Sequence, residues 1–249
     1  MPKNYTEDYL LNKKIIIFQP IDGYRASSDA VMLAAMVCNN TQNAKILDVG
    51  SGTGAISLCL ASRLQNNNVF ITGVELQTEL CKLANMSALQ NNFSALNYIN
   101  ADITDKQTSK ILHPCSYDIV ISNPPYSDHD MPSPNKSKAA AHNMNEFSLT
   151  QWLQFCLKMT KPFGRIFMVN RTEALPEICT FFHGKAGNME VLPIYTKQNE
   201  SAKRIIISVQ KDSKSPCKIL PPFFVHDGDK YTEKAEKILR MGDDFSSVL

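Results

Sequence analysis

From residue 45 onward, short apolar runs alternate with longer stretches in which apolar residues recur at helical spacing. The runs at 45–49, 69–74, 96–99 and 117–122 are rich in Ile, Val and Leu and end in polar or glycine-containing turns, which predicts strands. Between them, 54–64 and 77–91 read as helices; in the second, Leu80, Leu83, Ala84 and Leu89 mark the apolar positions. Strands that are apolar nearly throughout, separated by helices, predict a parallel sheet covered on both faces. A helix at 147–160, a strand at 165–170 and a helix near 173–183 continue the rhythm. Strands at 189–195 and 203–210 follow with only a few polar residues between them, which predicts an antiparallel hairpin. The expected fold class is therefore α/β: a doubly wound, Rossmann-like, mostly parallel sheet ending in an antiparallel hairpin.

Upstream, the β-branched and aromatic residues at 13–19 predict a short strand that stops at Pro20. Asp22-Gly23-Tyr24-Arg25 signals a turn, and a helix is expected over 28–37 with Ser28 and Asp29 as caps. Residues 127–145 break the pattern. Ser, Asp, His, Pro, Asn and Lys dominate there, directly after the strand at 117–122, which predicts a mobile loop beside the site. A short helix at 232–240 closes the chain. No linker separates two cores, so the expectation is one domain over 1–249, with 1–44 as an N-terminal extension.

Charge changes this picture little. Lys and Arg number 26 against 24 Asp and Glu, a balance that neither demands nor excludes a nucleic-acid partner. Late in the chain, however, Lys197, Lys203, Arg204, Lys211, Lys214 and Lys218 face only Glu200 and Asp212, and Lys136 and Lys138 add charge in the loop. Such a cluster can follow a phosphate backbone or merely keep a hairpin soluble. The cysteines are widely spaced, without a C-x-x-C pair, and the histidines show no ligand spacing, so no metal site is expected. The polar N-terminus lacks the apolar core of a signal peptide, and no apolar run is long enough to span a bilayer. The expected setting is the cytoplasm, away from membranes. Trp152 shares a helix with Leu149 and Phe155 and reads as core.

Four places carry chemistry. Asp48-Val49-Gly50-Ser51-Gly52-Thr53-Gly54-Ala55 lies between a strand and a helix. Its glycines allow a tight turn and close approach of a ligand, and the helix N-terminus adds N–H donors and positive potential. Gly50, Gly52 and Ala55 also satisfy the dinucleotide fingerprint, so this loop alone leaves a nicotinamide cofactor and S-adenosylmethionine both open. Glu75 at the end of the next strand suits the two hydroxyls of a ribose. Asp102 after the third strand suits an adenine amine, with Ile103 against the ring.

The fourth strand ends in Asn123-Pro124-Pro125-Tyr126. The prolines stiffen the backbone and remove two N–H donors, so the Asn123 side-chain oxygen and the Pro124 carbonyl can both accept from one substrate amine. An exocyclic or amide nitrogen is a poor nucleophile because its lone pair is delocalised. Two acceptors on its N–H bonds favour pyramidalisation and free that pair to attack a methyl sulfonium in line. Tyr126 offers a flat face to a planar group. A nicotinamide oxidoreductase leaves this tetrapeptide without a purpose.

With these residues the sequence resembles the class I methyltransferases whose fourth motif reads (Asn/Asp/Ser)-Pro-Pro-(Tyr/Phe/Trp). It resembles more narrowly the bacterial tRNA adenine-N6-methyltransferases that act on the anticodon loop of a valine tRNA. The narrower likeness rests on Gln19-Pro20, Asp22-Gly23-Tyr24-Arg25-Ala26 and Asp29-Ala30-Val31. It continues in Gly73-Val74-Glu75-Leu76-Gln77, Leu192-Pro193 and Ala202-Lys203-Arg204. The resemblance implies seven sheet strands, S-adenosylmethionine as methyl donor and a tRNA adenine as acceptor. It also implies that Tyr24, Arg25 and Asp29 close over the methionine end of the cofactor. Asp48, Gly50, Gly52 and Gly54 would form its main cradle, completed by Glu75, Leu76, Asp102 and Ile103. Ser27 stands where the family often has Gly, and Ser127 where a second aromatic often follows the tetrapeptide. The related release-factor glutamine methyltransferases share the tetrapeptide but usually carry a helical substrate domain ahead of the glycine loop. A fold that keeps RNA binding without catalysis is the remaining alternative, against which the intact tetrapeptide speaks.

Overall fold

The computed structural model describes residues 4–23, 25–125 and 148–249. Tyr24, Tyr126 and the loop expected at 127–145 lie outside the described residues. The central sheet follows the expected alternation: β3 (Lys45–Val49), α2 (Ala55–Arg63), β4 (Phe70–Glu75), α3 (Thr78–Gln90), β5 (Leu96–Asn100) and β6 (Tyr117–Ser122). It continues through a helix, α5 (Leu149–Met159), then β7 (Thr160–Arg171), a further helix α6 (Leu175–Phe182), β8 (Ala186–Tyr195) and β9 (Arg204–Lys211). The strand order is β8-β9-β7-β6-β3-β4-β5. All neighbours are parallel except β9, which lies antiparallel between β7 and β8.

Two differences from expectation stand out in the sheet. Two-residue strands β10 (Lys218–Ile219) and β11 (Phe223–Phe224) pair in parallel with β8, so nine strands form the sheet in place of seven. They cover the β8 edge, which would otherwise present unpaired backbone groups. A short helix, α4 (Lys106–Leu112), also follows β5; Asp105 caps it by accepting from the Gln107 N–H at 2.8 Å.

The central strands are apolar because both faces are covered: Ile46, Leu47 and Val49 of β3 and Val120 and Ile121 of β6 are wholly buried. Each such side chain contributes about 1.5–3 kcal/mol through burial. One core, with Ile46, Leu58, Leu60 and Ala84, packs α1 (Ser28–Ala35), α2 and α3 on one face. The other, with Leu47, Val120, Leu153 and Ile178, packs α5 and α6 on the opposite face.

The strand expected at 13–19 is the inner strand of an antiparallel hairpin, β1 (Tyr5–Leu10) with β2 (Ile15–Pro20). Ile15 and Ile17 are buried while Ile16 and Phe18 are half-buried, so the apolar run alternates as a strand on a helix should. The hairpin sits on α3. The Ile16 backbone exchanges two hydrogen bonds with the Asn91 amide, at 2.9 and 2.6 Å, and the Phe18 N–H donates to Ser87 Oγ at 2.9 Å. At the other end of the chain, α7 (Glu233–Glu236) is shorter than expected and runs on as a π-helical segment to Met241. Among the described residues no helix is long and apolar enough to cross a membrane.

Candidate active site

The sheet register brings the chemistry-bearing residues to one edge. Val49 lies level with Val74 and with Ser122, and Glu75 with Asn100. The segments after β3, β4, β5 and β6 therefore emerge together at the C-terminal ends of parallel strands. From β3 the chain builds outward through β4 and β5, then crosses back to place β6 on the other side of β3. A crevice forms where the order reverses, as expected of doubly wound sheets. A cavity of about 1250 Å³ occupies it.

The glycine loop forms one wall. Gly50 and Ser51 donate their N–H groups to the Val74 carbonyl at 2.9 and 3.0 Å, which folds the loop back over β4. Gly50 (φ +70°) and Gly54 (φ +87°) sit in the left-handed region, and neither has space for a side chain. A Cβ on Gly50 would lie 2.8 Å from the Trp152 ring, and one on Gly54 2.2 Å from the Tyr98 hydroxyl. Glycine is thus required on two counts at each position.

Glu75 is buried and braces this wall. One carboxylate oxygen accepts from the Gly52 N–H and the other from the Gln77 N–H, both at 2.8 Å. Burial raises its pKa, and the accepted N–H bonds counteract the rise. The Leu76 N–H acts in the same direction, and the carboxylate keeps acceptor capacity for a ligand hydroxyl. Leu76, Asp102 and Ile103 line the next part of the cavity, and Asp102 accepts from the Thr104 N–H at 2.8 Å, which shapes its turn. Asn123 and Pro125 line the facing lip, while Pro124 is buried just behind it.

Several expected residues are placed differently. Asp48 does not line the cavity; it is fully buried beneath the loop, where its Oδ2 accepts from the Ser57 hydroxyl. Burial pushes its carboxyl up to about 7, the Ser57 hydrogen bonds oppose this, and the nearby Glu75 charge adds to the rise. Arg25 is absent from the lining. It pairs with Asp8 of the hairpin at 2.6 Å and donates to Thr6 Oγ1 and the Pro20 carbonyl, each at 3.0 Å. Asp29 is likewise absent from the lining and pairs with Arg204 at 3.1 Å. In their place Tyr5, Pro20, Asp22 and Gly23 of the hairpin side line the cavity.

The late basic cluster is not one patch. β9 runs antiparallel to β7, so Lys203 and Arg204 lie at the cavity edge and Lys211 at the opposite edge. There Lys211 donates to the Leu157 and Thr160 carbonyls at 3.0 and 2.8 Å, while Lys197 faces Asp229 at 3.5 Å.

Trp152, expected in the core, is core and cavity wall at once. Ser51 and Thr53 went unremarked in the sequence. Both line the cavity, both are buried, and neither hydroxyl has a hydrogen-bond partner among the described residues. Their signal was the loop motif itself, since each stands between two of its glycines. Buried hydroxyls without partners are costly unless a ligand satisfies them. A nucleoside ligand carrying an amino-acid end, such as S-adenosylmethionine, fits this wall: hydroxyl acceptors at Glu75, apolar faces at Leu76 and Ile103, unpartnered hydroxyls at the loop.

Residues 40–237 match the family described as a methyltransferase domain. A tRNA1(Val) (adenine(37)-N6)-methyltransferase from Pedobacter heparinus is 31% identical over 186 residues, 74% of this chain and 76% of that protein. One from Aliivibrio fischeri is 27% identical over 232 residues, 88% of this chain and 90% of its own length. The crystal structure of a predicted O-methyltransferase from Agrobacterium tumefaciens superposes with a TM-score of 0.72 at 20% identity, covering 87% of this chain and 98% of that one. The M. jannaschii TYW2 structure with AdoMet gives a TM-score of 0.56 at 12% identity, covering 84% and 87%. At such identities these structures speak for the fold alone. The chain belongs to the methyltransferase domain family and, within it, to the tRNA1(Val) (adenine(37)-N6)-methyltransferases, which makes it an S-adenosylmethionine-dependent N-methyltransferase.

Proposed function

We propose that the acceptor is the exocyclic amine of an adenine in tRNA, the substrate class named for the relatives from Pedobacter heparinus and Aliivibrio fischeri. The observation that carries this reading is the shared cavity: the glycine loop and Glu75 on one side, Asn123 on the other, across the switch between β3 and β6. On this reading residues 1–249 act as one methyltransferase domain in the cytoplasm, with the hairpin and α1 as its N-terminal extension.

When bound, the cofactor would supply an electrophilic methyl on sulfur, with S-adenosylhomocysteine as the by-product. Glu75 would hold the ribose hydroxyls, and Leu76 and Ile103 would flank the adenine, whose amine would donate to Asp102. The Asn123 side-chain oxygen and the Pro124 carbonyl accept the two N–H bonds of the acceptor amine, which turns its lone pair toward the methyl. Tyr126 follows in sequence as the stacking partner of the target base. The cofactor's sulfonium would supply the methyl, with the sulfur taking the C–S electron pair, and the surplus amine proton would pass to solvent. No strong base is required, because the amine is acidic once methylated. At the cavity end of β9, Lys203 is exposed and placed to meet a phosphate, whereas Arg204 holds Asp29; Lys106 and Lys158, also exposed, line the cavity itself.

The test offers labelled S-adenosylmethionine with unmodified tRNA and with release factor in parallel. Label in tRNA, recovered as N6-methyladenine, is the expected result. Label in the protein alone overturns the choice of acceptor and leaves the fold and the cofactor site standing.

A further inference from the structure

The two lips of the cavity are joined by one side chain that belongs to neither motif. The Trp152 indole N–H donates to Ser122 Oγ at 2.9 Å, and the Ser122 hydroxyl donates onward to the Val49 carbonyl at 2.7 Å. Ser122 is the last residue of β6 and Val49 the last of β3, and the two are register partners. Beyond them the ladder stops; the chain leaves as Gly50 on one side and Asn123 on the other. The rim of the same indole ring fills the space a Gly50 side chain would need.

Trp152 is itself firmly held. It stands in the first turn of α5, where Ser148 and Gln151 form a capping box that fixes the start of the helix. Ring and hydroxyl are both buried, so water does not compete for these bonds.

Resting on the methyl-transfer reading above, we propose that Trp152 and Ser122 are positioning residues that set the separation between the cofactor loop and the acceptor amine. Neither donates to the reacting atoms. They hold the backbone at Gly50 and Asn123 where the ladder no longer does. An in-line transfer needs its reacting atoms at about 3–3.5 Å, and a displacement near 1 Å costs on the order of a hundredfold in rate.

The experiment uses the full chain as Ser122→Ala, Trp152→Phe and the double variant. Single-turnover methylation, KM for the acceptor, cofactor affinity and thermal unfolding are measured for each. Each single change is expected to slow transfer by about tenfold or more, with KM for the acceptor unchanged. Cofactor affinity of Ser122→Ala should stay within about twofold of the parent, because Ser122 lies outside the cavity wall. The double variant should fall short of the product of the two single effects, since both changes break the shared Trp152–Ser122 bond. Wild-type transfer rates in the folded single variants, or a double variant showing the product of the two effects, would overturn the proposal.

Trp152 is the single tryptophan of the chain, so its emission reads the contact without any activity. Ser122→Ala should shift that emission to shorter wavelength as the indole N–H loses its acceptor; an unshifted spectrum contradicts the hydrogen bond. If the parent protein methylates release factor and not tRNA, the choice of acceptor falls. The same rate comparison on release factor then decides the roles of Trp152 and Ser122.

Discussion

Two walls of the cavity are built on different principles. The glycine-loop wall is backbone held by backbone: Gly50 and Ser51 donate to the Val74 carbonyl, and the buried Glu75 accepts from Gly52 and Gln77. The N-terminal wall is a hairpin fastened to α3 through the Asn91 and Ser87 side chains, and its ion pair of Arg25 with Asp8 leaves both partners more than a third exposed. Buried backbone bonds in a low-dielectric site are costly to break, whereas exposed ion pairs are worth little. The first wall should therefore be brittle and the second tolerant. Four substitutions, from the largest expected effect to the smallest, put that contrast at risk.

Gly54→Ala strikes the brittle wall hardest. It demands a left-handed conformation of a residue with a Cβ and drives that Cβ to 2.2 Å from the buried Tyr98 hydroxyl. Strain and overpacking together should destabilise the fold by about 2–5 kcal/mol. Denaturant unfolding measures this; a loss below about 1 kcal/mol would show that the loop yields easily.

Glu75→Ala removes the acceptor of two backbone N–H groups together with the proposed ribose ligand. Cofactor binding should weaken by about 1.5–3 kcal/mol, read by calorimetric titration. Unchanged affinity would remove Glu75 from the cofactor site.

The same contrast explains what the sequence revealed. The glycine loop, Glu75, Asp102 and Asn123 lie at the ends of strands, and strand ends follow from local apolar runs and the turns behind them. Parallel pairing then carries them to one edge without further information. The hairpin was half legible: Ile15 and Ile17 announced β2, but β1 has a polar sequence, and its turn runs through Leu11, Asn12 and Lys13 at positive φ with no glycine to mark it. The partners of Arg25 and Asp29 were not legible at all, because Asp29 and Arg204 are 175 residues apart. Which end of the 203–210 strand meets the cavity required knowing that β9 lies antiparallel to β7. Asp48 matched its motif, yet its depth beneath the loop depends on β4 and β6 flanking it, which a motif does not encode.

Asp48 gives the third test, through pH. Burial and the Glu75 charge raise its carboxyl from 3.8 to about 7. Between those values the folded protein holds a proton that the unfolded chain has released, so stability falls as pH rises from about 4 to about 7 and levels off above. Asp48→Asn should remove the Asp48 share of that decline and leave the share that the raised Glu75 carboxyl contributes. The sulfonium of S-adenosylmethionine is a fixed positive charge and should favour the ionised carboxylate, so its affinity in the parent protein should contain a component that rises from pH 6 to pH 8. In Asp48→Asn that component should vanish. Identical pH profiles in the two proteins would mean that Asp48 does not sense the ligand through the loop.

Arg25→Ala carries the smallest expected change and decides most about the tolerant wall. The family resemblance implies that Arg25 closes over the methionine end of the cofactor. The geometry instead engages its guanidinium with Asp8, Thr6 and Pro20, all on the hairpin. These contacts are partly exposed and screened, so their loss should cost about 0–1 kcal/mol of stability. If Arg25 only staples the hairpin, cofactor affinity should change by less than about threefold, and Asp8→Ala should reproduce the effect, because either change breaks the same pair. If Arg25 leaves Asp8 to contact the cofactor carboxylate, a charge-assisted bond of about 1.5–3 kcal/mol is lost, and affinity falls tenfold or more. Asp8→Ala would then leave affinity intact or improve it by releasing the guanidinium. The paired titrations thus separate a scaffold from a clamp, and a clamp would place the hairpin among the ligand-binding elements, against the contrast drawn above.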